Sequence, residues 1–380
     1  MNNTENQNIK IFTENIEQKA MEQIERLLSI DAFNECKIRI MPDVHAGAGC
    51  VIGFTGNLGD KVIPNIVGVD IGCGIYVQPF ECRGNIDFHA LNEFILRNIP
   101  SGRNVRDENY NPLPDKFLHL YREAKDIIKN LKCYRDLNLR NPRRLKSSIG
   151  SLGGGNHFIE LDKDNEGMFY LAVHTGSRNL GKRVAEFYQK QAIKEKLPVP
   201  QDLAYLTGER REAYLHDMKL CQRWAEINRE IIATLIMDYL FMQHNVGACG
   251  ESFESVHNYI AEDNIIRKGA ISAKDGQRCI IPLNMRDGSL ICTGKGNDDW
   301  NYSAPHGAGR IMSRAQAFKE IEMAEFIDSM AGIYSETVSE ETKDESPMVY
   351  KPKEEILKHI KDTVTVEKVI KPIFNFKAAE

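Results

Sequence analysis

An aspartate, a cysteine and four histidines sit beside small or polar turn residues at five places in this chain. These are Val69-Asp70-Ile71-Gly72-Cys73-Gly74, Gly155-Asn156-His157-Phe158, Ala172-Val173-His174-Thr175-Gly176-Ser177-Arg178, Ser255-Val256-His257-Asn258-Tyr259 and Ser303-Ala304-Pro305-His306-Gly307-Ala308-Gly309-Arg310. Thiolate, imidazole and carboxylate together suit Mn, Fe, Co or Zn, whereas Mg and Ca take shells dominated by oxygen. The pattern predicts a metalloenzyme whose basic and glycine-rich elements handle phosphate.

Each motif has its own chemistry. The Cys73 thiolate can bridge two ions, with the Asp70 carboxylate completing one shell. Taken alone, the pair reads more simply as a buried cysteine beside a turn aspartate bonded to its own backbone. His157 follows Gly153-Gly154-Gly155-Asn156, and these glycines let backbone amides approach an anion. Asn156 offers a hydrogen bond to phosphate, and Glu160 offers an acceptor to a sugar hydroxyl or a base N–H. His174 ends a predicted strand, and Arg178 after it carries the planar fork that matches phosphate. The plainer alternative is a backbone-bonded histidine with Arg178 in a surface ion pair. His257 and Asn258 carry little information by themselves.

His306 stands out, because Gly307, Ala308 and Gly309 leave its imidazole approachable and it lies, with Arg310 close by, just ahead of a predicted helix. A helix N-terminus and a guanidinium both stabilise negative charge. The local sequence fits a nucleophilic histidine and a further metal ligand equally. Asp43, in Met41-Pro42-Asp43-Val44-His45, is a carboxylate able to fix an imidazole's tautomer and raise its basicity.

The elements that position these residues can be read from periodicity. Helical spacing runs over Ile16–Leu28, Asp115–Leu131, Gly181–Glu195, Leu215–Met242 and Gly309–Phe326. Short apolar runs at Val51–Phe54, Ile63–Val69 and Ile75–Phe80 predict buried strands joined by tight turns. Phe169–Val173 predicts the strand that delivers His174. Arg278–Leu283 and Ser289–Thr293 predict a hairpin around Asp287-Gly288. The acidic stretch Ser335–Ser346 reads as a solvated loop, and Val364–Phe376 as a β-rich tail. The expectation is a mixed α/β (α+β) fold in one domain over residues 1–380.

Composition sets the outer bounds. With 380 residues, 42% hydrophobic and 27% charged, the chain can bury a large core. A net charge of −5 excludes a broad nucleic-acid-coating surface but leaves room for a local basic groove. Nine cysteines without repeating spacing fit a reduced cytoplasm rather than a disulfide framework. The polar Met1–Lys10 lacks a secretion core, and the apolar stretch Ile231–Met242 is too short to span a bilayer.

In order, MPDVHAGAGCVIG, IVGVDIGCG, GSLGGGNHFIE, VHTGSRNLG, SVHN, RKGA and HGAGR, running from Met41 to Arg310, resemble the RtcB family of RNA ligases. With Ile373-Phe374-Asn375-Phe376-Lys377, the resemblance covers nearly the whole chain. It implies an α/β fold around a dimetal centre, with two Mn²⁺ ions held by the positions of Asp70, Cys73, His157, His174 and His257. It implies that His306 attacks the α-phosphate of GTP and that Asp43 orients it. GMP then passes to an RNA 3′-phosphate, and a 5′-hydroxyl displaces it; a 2′,3′-cyclic phosphate is opened first.

Guanine-nucleotide contacts are implied at Asn156, His157, Phe158, Ile159 and Glu160, at His257 and Asn258, and at Pro282, Asn284, Met285 and Ser289. His306, Gly307, Ala308, Gly309 and Lys377 complete them, with Arg178 and Arg310 near RNA phosphates. The resemblance allows an archease-like activating partner and implies no membrane partner. The stretch from Pro282 to Ser289 departs from the family's usual Pro-Gly-Ser-Met, which keeps the first of two alternatives open. One is an enzyme that guanylylates 3′ ends or opens cyclic phosphates without efficient sealing. The other is a non-catalytic, metal-binding, RNA-associated protein.

Overall fold

Burial alternates along the strand Gly74–Cys82, where Ile75 and Val77 point inward while Tyr76 and Gln78 are half-buried. This strand belongs to the larger of two main sheets in the computed structural model, which describes residues 8–30, 33, 35–107, 112–137 and 142–378. Antiparallel pairing runs from Gly74–Cys82 to Phe169–Thr175, Phe158–Lys163, Val364–Lys377, Gly288–Gly294 and Arg278–Asn284. On its other edge, Gly74–Cys82 pairs with Phe253–Val256 and Val246–Ala248. The register sets Gly74 opposite both Thr175 and Val256, and His174 opposite both Ile75 and Phe158. Cys73, His157, His174 and His257 therefore lie at neighbouring strand ends on one end of the sheet.

A second sheet orders Ile9–Ile11, Ile38–His45, Ile52–Gly56, Ile266–Lys268 and Asn258–Ile260. Asp43 lies near the end of its second strand, and His257 connects the two sheets. The small pair Ala270–Ser272 with Ser303–Pro305 delivers His306. The 37-residue helix Gly208–His244 packs across Gly74–Cys82 and Phe169–Thr175 and buries Met218, Cys221, Trp224, Ile231 and Ile232 in the main core. Among the described residues, no helix is long and apolar enough to cross a membrane.

The α+β expectation holds, as do the helices Gln18–Leu28, Leu118–Asn130, Arg178–Lys194 and Gly208–His244 and the predicted hairpin. Three local expectations are corrected. Ile63–Val69 is not a strand: Pro64 stands at the first turn of a short helix, Pro64–Val67, where its missing N–H costs nothing. Gly309–Phe326 is not one helix. Gly309 has φ +78° and a Cβ there would lie 2.3 Å from the Asp43 carbonyl, so helix begins only at Arg314–Glu320 and resumes at Met323–Ser329.

The third correction concerns Ser335–Ser346, which is not a solvated loop. Its Glu340–Glu345 turn buries Thr342, Asp344 and Glu345. Glu345 meets Arg310, Arg314 and Lys377 at 3.2, 3.3 and 2.9 Å. These cations come from distant sequence positions, so the acidic run gives no hint of its partners.

Candidate dimetal active site

The strand ends bring five donor side chains together in two overlapping groups, Asp70–Cys73–His157 and Cys73–His174–His257. Cys73 Sγ lies 3.4 Å from Nε2 of both His157 and His174. His174 Nε2 lies 3.4 Å from His257 Nε2, and Asp70 Oδ2 lies 3.1 Å from His157 Nε2. Donors about 2.0–2.3 Å from a shared ion stand about 3.3–3.8 Å apart in a tetrahedral shell. The spacing fits two metal ions that share the Cys73 thiolate.

Hydrogen bonds behind the ligands set their tautomers. His157 Nδ1 faces the Leu152 carbonyl at 2.9 Å, and His174 Nδ1 faces that of Asn156 at 3.0 Å. An Nδ1–H donated to a carbonyl leaves the Nε2 lone pair for a metal. Burial and neighbouring imidazoles hold His174 and His257 well below the usual histidine value, so both are neutral donors. Burial and the nearby Asp70 carboxylate push the Cys73 thiol well up. Burial also pushes Asp70 up, but its bond to His157 and the Arg178 guanidinium outweigh this and hold it below the ordinary value. Gly176 makes room for that carboxylate, since a Cβ there would lie 2.3 Å from Asp70 Oδ1.

Next to the cluster stands His306, its ring centroid 4.9 Å from that of His257. Nδ1 of His306 lies 2.7 Å from Oδ2 of the fully buried Asp43. With Nδ1 donating there, Nε2 is the nitrogen left to react. A cavity of about 630 Å³ opens against this histidine and His174. A second, of about 440 Å³, opens on the Asp70 side of the cluster, lined by Arg178, Arg103, Arg144, Lys182 and Arg183. Arg178 adopts φ 57°, an uncommon backbone for a side chain of this size, and donates to the Gly102 carbonyl at 2.9 Å. The arrangement joins a carboxylate-bonded imidazole, a metal-type donor cluster and two cavities whose linings include basic side chains, a setting for phosphoryl transfer.

A family model described as "tRNA-splicing ligase RtcB" matches residues 23–378. The chain belongs to the RtcB family. An RtcB relative named "RNA-splicing ligase RtcB1", from Escherichia coli strain ATCC 25922, is 32% identical over 96% of this chain and 95% of its own length. "RNA-splicing ligase RtcB" from Escherichia coli strain K12 is 31% identical over the same shares. "tRNA-splicing ligase RtcB" from Methanococcus maripaludis is 27% identical over 82% of this chain and 80% of its own.

Within this RtcB chain, most of the positions at which the resemblance implies nucleotide contacts line the larger cavity. They are Asn156, Phe158, Glu160, Pro282, Asn284, Met285, His306, Gly307, Ala308, Gly309 and Lys377. His157 and His257 belong to the donor cluster. Three positions do not line the cavity. Ile159 is fully buried in the main core, and Asn258 ties the Asp70 carbonyl (3.2 Å) to the Gly269 amide (3.1 Å). Ser289 is fully buried, its hydroxyl without a partner among the described residues. Arg178 lines the second cavity rather than the first. Arg310 lines the first, but its guanidinium is committed to the carbonyls of Met312 and Asp344 and to Glu345.

Sequence reasoning missed the groups that brace the site. Arg229, fully buried on the long helix, donates to the carbonyls of Gly72 and Thr175 at 2.8 and 2.9 Å and so ties two ligand-bearing turns together. Asn228 accepts from the amides of Gly150 and Ser151 and braces the glycine turn before His157. The signal was present: both fall at core spacing among Cys221, Trp224, Ala225 and Ile232, where a polar residue needs a buried partner.

Proposed function

We propose that this chain is an RNA ligase that uses GTP and Mn²⁺ to join an RNA 3′-phosphate, or a 2′,3′-cyclic phosphate once opened, to a 5′-hydroxyl. The observation that carries this reading is His306, bonded to buried Asp43 and standing where the larger cavity meets the donor cluster. His306 Nε2 attacks the α-phosphorus of GTP, a P–N bond forms and pyrophosphate leaves. The Asp43 carboxylate stabilises the positive charge that develops on the ring. An oxygen of the RNA 3′-phosphate then takes the GMP from His306, restoring the neutral imidazole.

The 3′-phosphorus now carries GMP as a leaving group, and the 5′-hydroxyl oxygen displaces it to form the phosphodiester. Mn²⁺ ions held by Asp70, Cys73, His157, His174 and His257 would neutralise phosphate charge and acidify the attacking hydroxyl. Arg178 and the basic side chains around it bind the RNA backbone in the second cavity. A second reading, end-guanylylation or cyclic-phosphate opening without efficient sealing, draws on Asn284. Its Oδ1 accepts from the amides of Arg286 and Asp287 and its Nδ2 donates to Asp287, so the turn itself occupies the side chain.

The test is incubation with α-labelled GTP and Mn²⁺, followed by a denaturing gel and peptide mapping. The label should sit on His306 and be absent from His306→Ala. An adduct that survives in that variant, or maps elsewhere, rejects the assignment.

A further inference from the structure

Glu160 lines the nucleotide cavity yet is only 3% exposed. Directly opposite it in the sheet, on the strand Val364–Lys377, is Asn375. The Asn375 Nδ2 donates to Glu160 Oε1 at 2.6 Å, in a setting where Asn375 itself is 1% exposed. The other amide atom, Oδ1, has no partner among the described residues. Turning the amide over would set an oxygen against the carboxylate, so only this orientation makes a bond.

The charged surroundings of Glu160 are sparse. From the strand of Asn375 comes Lys377, whose ammonium is held by Glu345 at 2.9 Å and by the Asn156 carbonyl at 3.2 Å. From Glu160's own strand comes Asp162, fully buried and without a partner among the described residues. The strand on the other side sets Ala172 opposite and contributes no charge. Burial pushes the Glu160 carboxyl up to about 7, against the opposing effects of Asn375 and Lys377. Burial and Glu160 push Asp162 well above the usual carboxylate range.

We infer that Asn375 is a positioning residue that sets the purine selectivity of the cavity, by holding Glu160 as an acceptor for the base. The inference deepens the proposed function and rests on GTP being the nucleotide used. Guanine presents two donors along one edge, N1–H and the 2-amino group, and these match an ionised carboxylate, which only accepts. Adenine presents a bare N1 lone pair, which the same carboxylate repels and only a protonated carboxyl can meet. Asn375 favours the ionised form and fixes one oxygen, leaving the rest of the carboxylate for the base. A site built on such a bond rejects the analogue that cannot make it far better than a shape-matched apolar pocket does.

The experiment compares full-length wild type with Asn375→Ala and Asn375→Leu. It measures transfer of α-label from GTP and from ATP onto the protein, with Mn²⁺, from pH 6 to pH 9. The readout is the ratio of kcat/KM for GTP to that for ATP, which does not depend on the fraction of protein folded. Wild type should favour GTP. Both variants should lose about tenfold or more of that ratio at pH 7, through a raised KM for GTP at little-changed kcat. Selectivity should return at alkaline pH as Glu160 ionises. A ratio within about twofold of wild type at every pH overturns the role of Asn375. Equal use of both nucleotides by wild type overturns it too, because there is then no selectivity to set. Labelling of wild type by neither nucleotide rejects the proposed function itself, a different and separable result.

Discussion

Oδ2 of Asp43 accepts twice from His306, from ring Nδ1 at 2.7 Å and from the backbone amide at 3.1 Å, and once from the neighbouring Gly307 amide at 3.2 Å. One fully buried carboxylate oxygen thus fixes the ring's tautomer and the loop that carries it. Asp43→Asn keeps the shape but cannot offer the same oxygen without burying an amide donor at Oδ1, which has no partner among the described residues. Formation of the His306 adduct should fall about 10²–10⁴-fold, while metal content stays near wild type. Adduct formation at the wild-type rate would show that Asp43 only supports the loop.

Cys73 is the one donor common to both groups of ligands. Cys73→Ala should therefore lose more bound Mn²⁺ than His174→Ala, as read by metal analysis of the purified proteins. A bridging thiolate serves both ions, whereas an imidazole serves one. Equal and full occupancy in the two variants would make Cys73 a core residue and nothing more.

Glu345 links chemistry to stability. Burial raises its carboxyl, but Lys377, Arg314 and Arg310 overcome this and bring it down to about 2. A depressed carboxylate stabilises the fold above the ordinary glutamate value, and that stability is lost as pH falls through about 2. From this shift, Glu345→Gln should cost about 3 kcal/mol at pH 7, read as a lower urea midpoint. The gap from wild type should shrink steadily as pH falls below about 4.5. A gap that is the same at pH 7 and pH 3 would mean that packing, not charge, is what the variant loses.

On the other side of the cluster, Arg178 is the guanidinium whose charge acts on the Asp70 carboxylate, and it lines the second cavity. Arg178→Ala should raise the Kd for RNA by about tenfold and flatten the salt dependence of RNA binding by about one unit of slope. Filter binding across a range of salt concentrations measures both. An unchanged slope would place the RNA backbone elsewhere.

How much of this was legible depended on whether the cause was local. The run Phe169–Val173 is apolar and stops at His174, so the strand and the histidine at its end could be read directly, although that end is buried. The ligand set could not be assembled from spacing, because Asp70, His157 and His257 meet only through the register of strands far apart in sequence. The ordered motifs supplied that set by resemblance instead. Glu345 was misread because an acidic run looks solvated until Arg310, Arg314 and Lys377 are folded against it. Pro64 was misread because a helical turn with three buried residues, Pro64, Ile66 and Val67, has the same composition as a short strand. Asn375 stood inside a matched motif, but its bond to Glu160 could not be read there, because that partner lies directly across the sheet.

The central claim is a polarity of joining, and defined RNA oligonucleotides bearing four combinations of ends test it most directly. With GTP and Mn²⁺, the protein should seal a 3′-phosphate or 2′,3′-cyclic phosphate to a 5′-hydroxyl. A 5′-phosphate on the partner strand adds negative charge where a neutral hydroxyl must approach, and a 3′-hydroxyl offers no phosphate to receive GMP from His306. Accumulation of 3′-guanylylated RNA without product would favour end modification over ligation. Sealing of only the 3′-hydroxyl to 5′-phosphate pair would contradict the account.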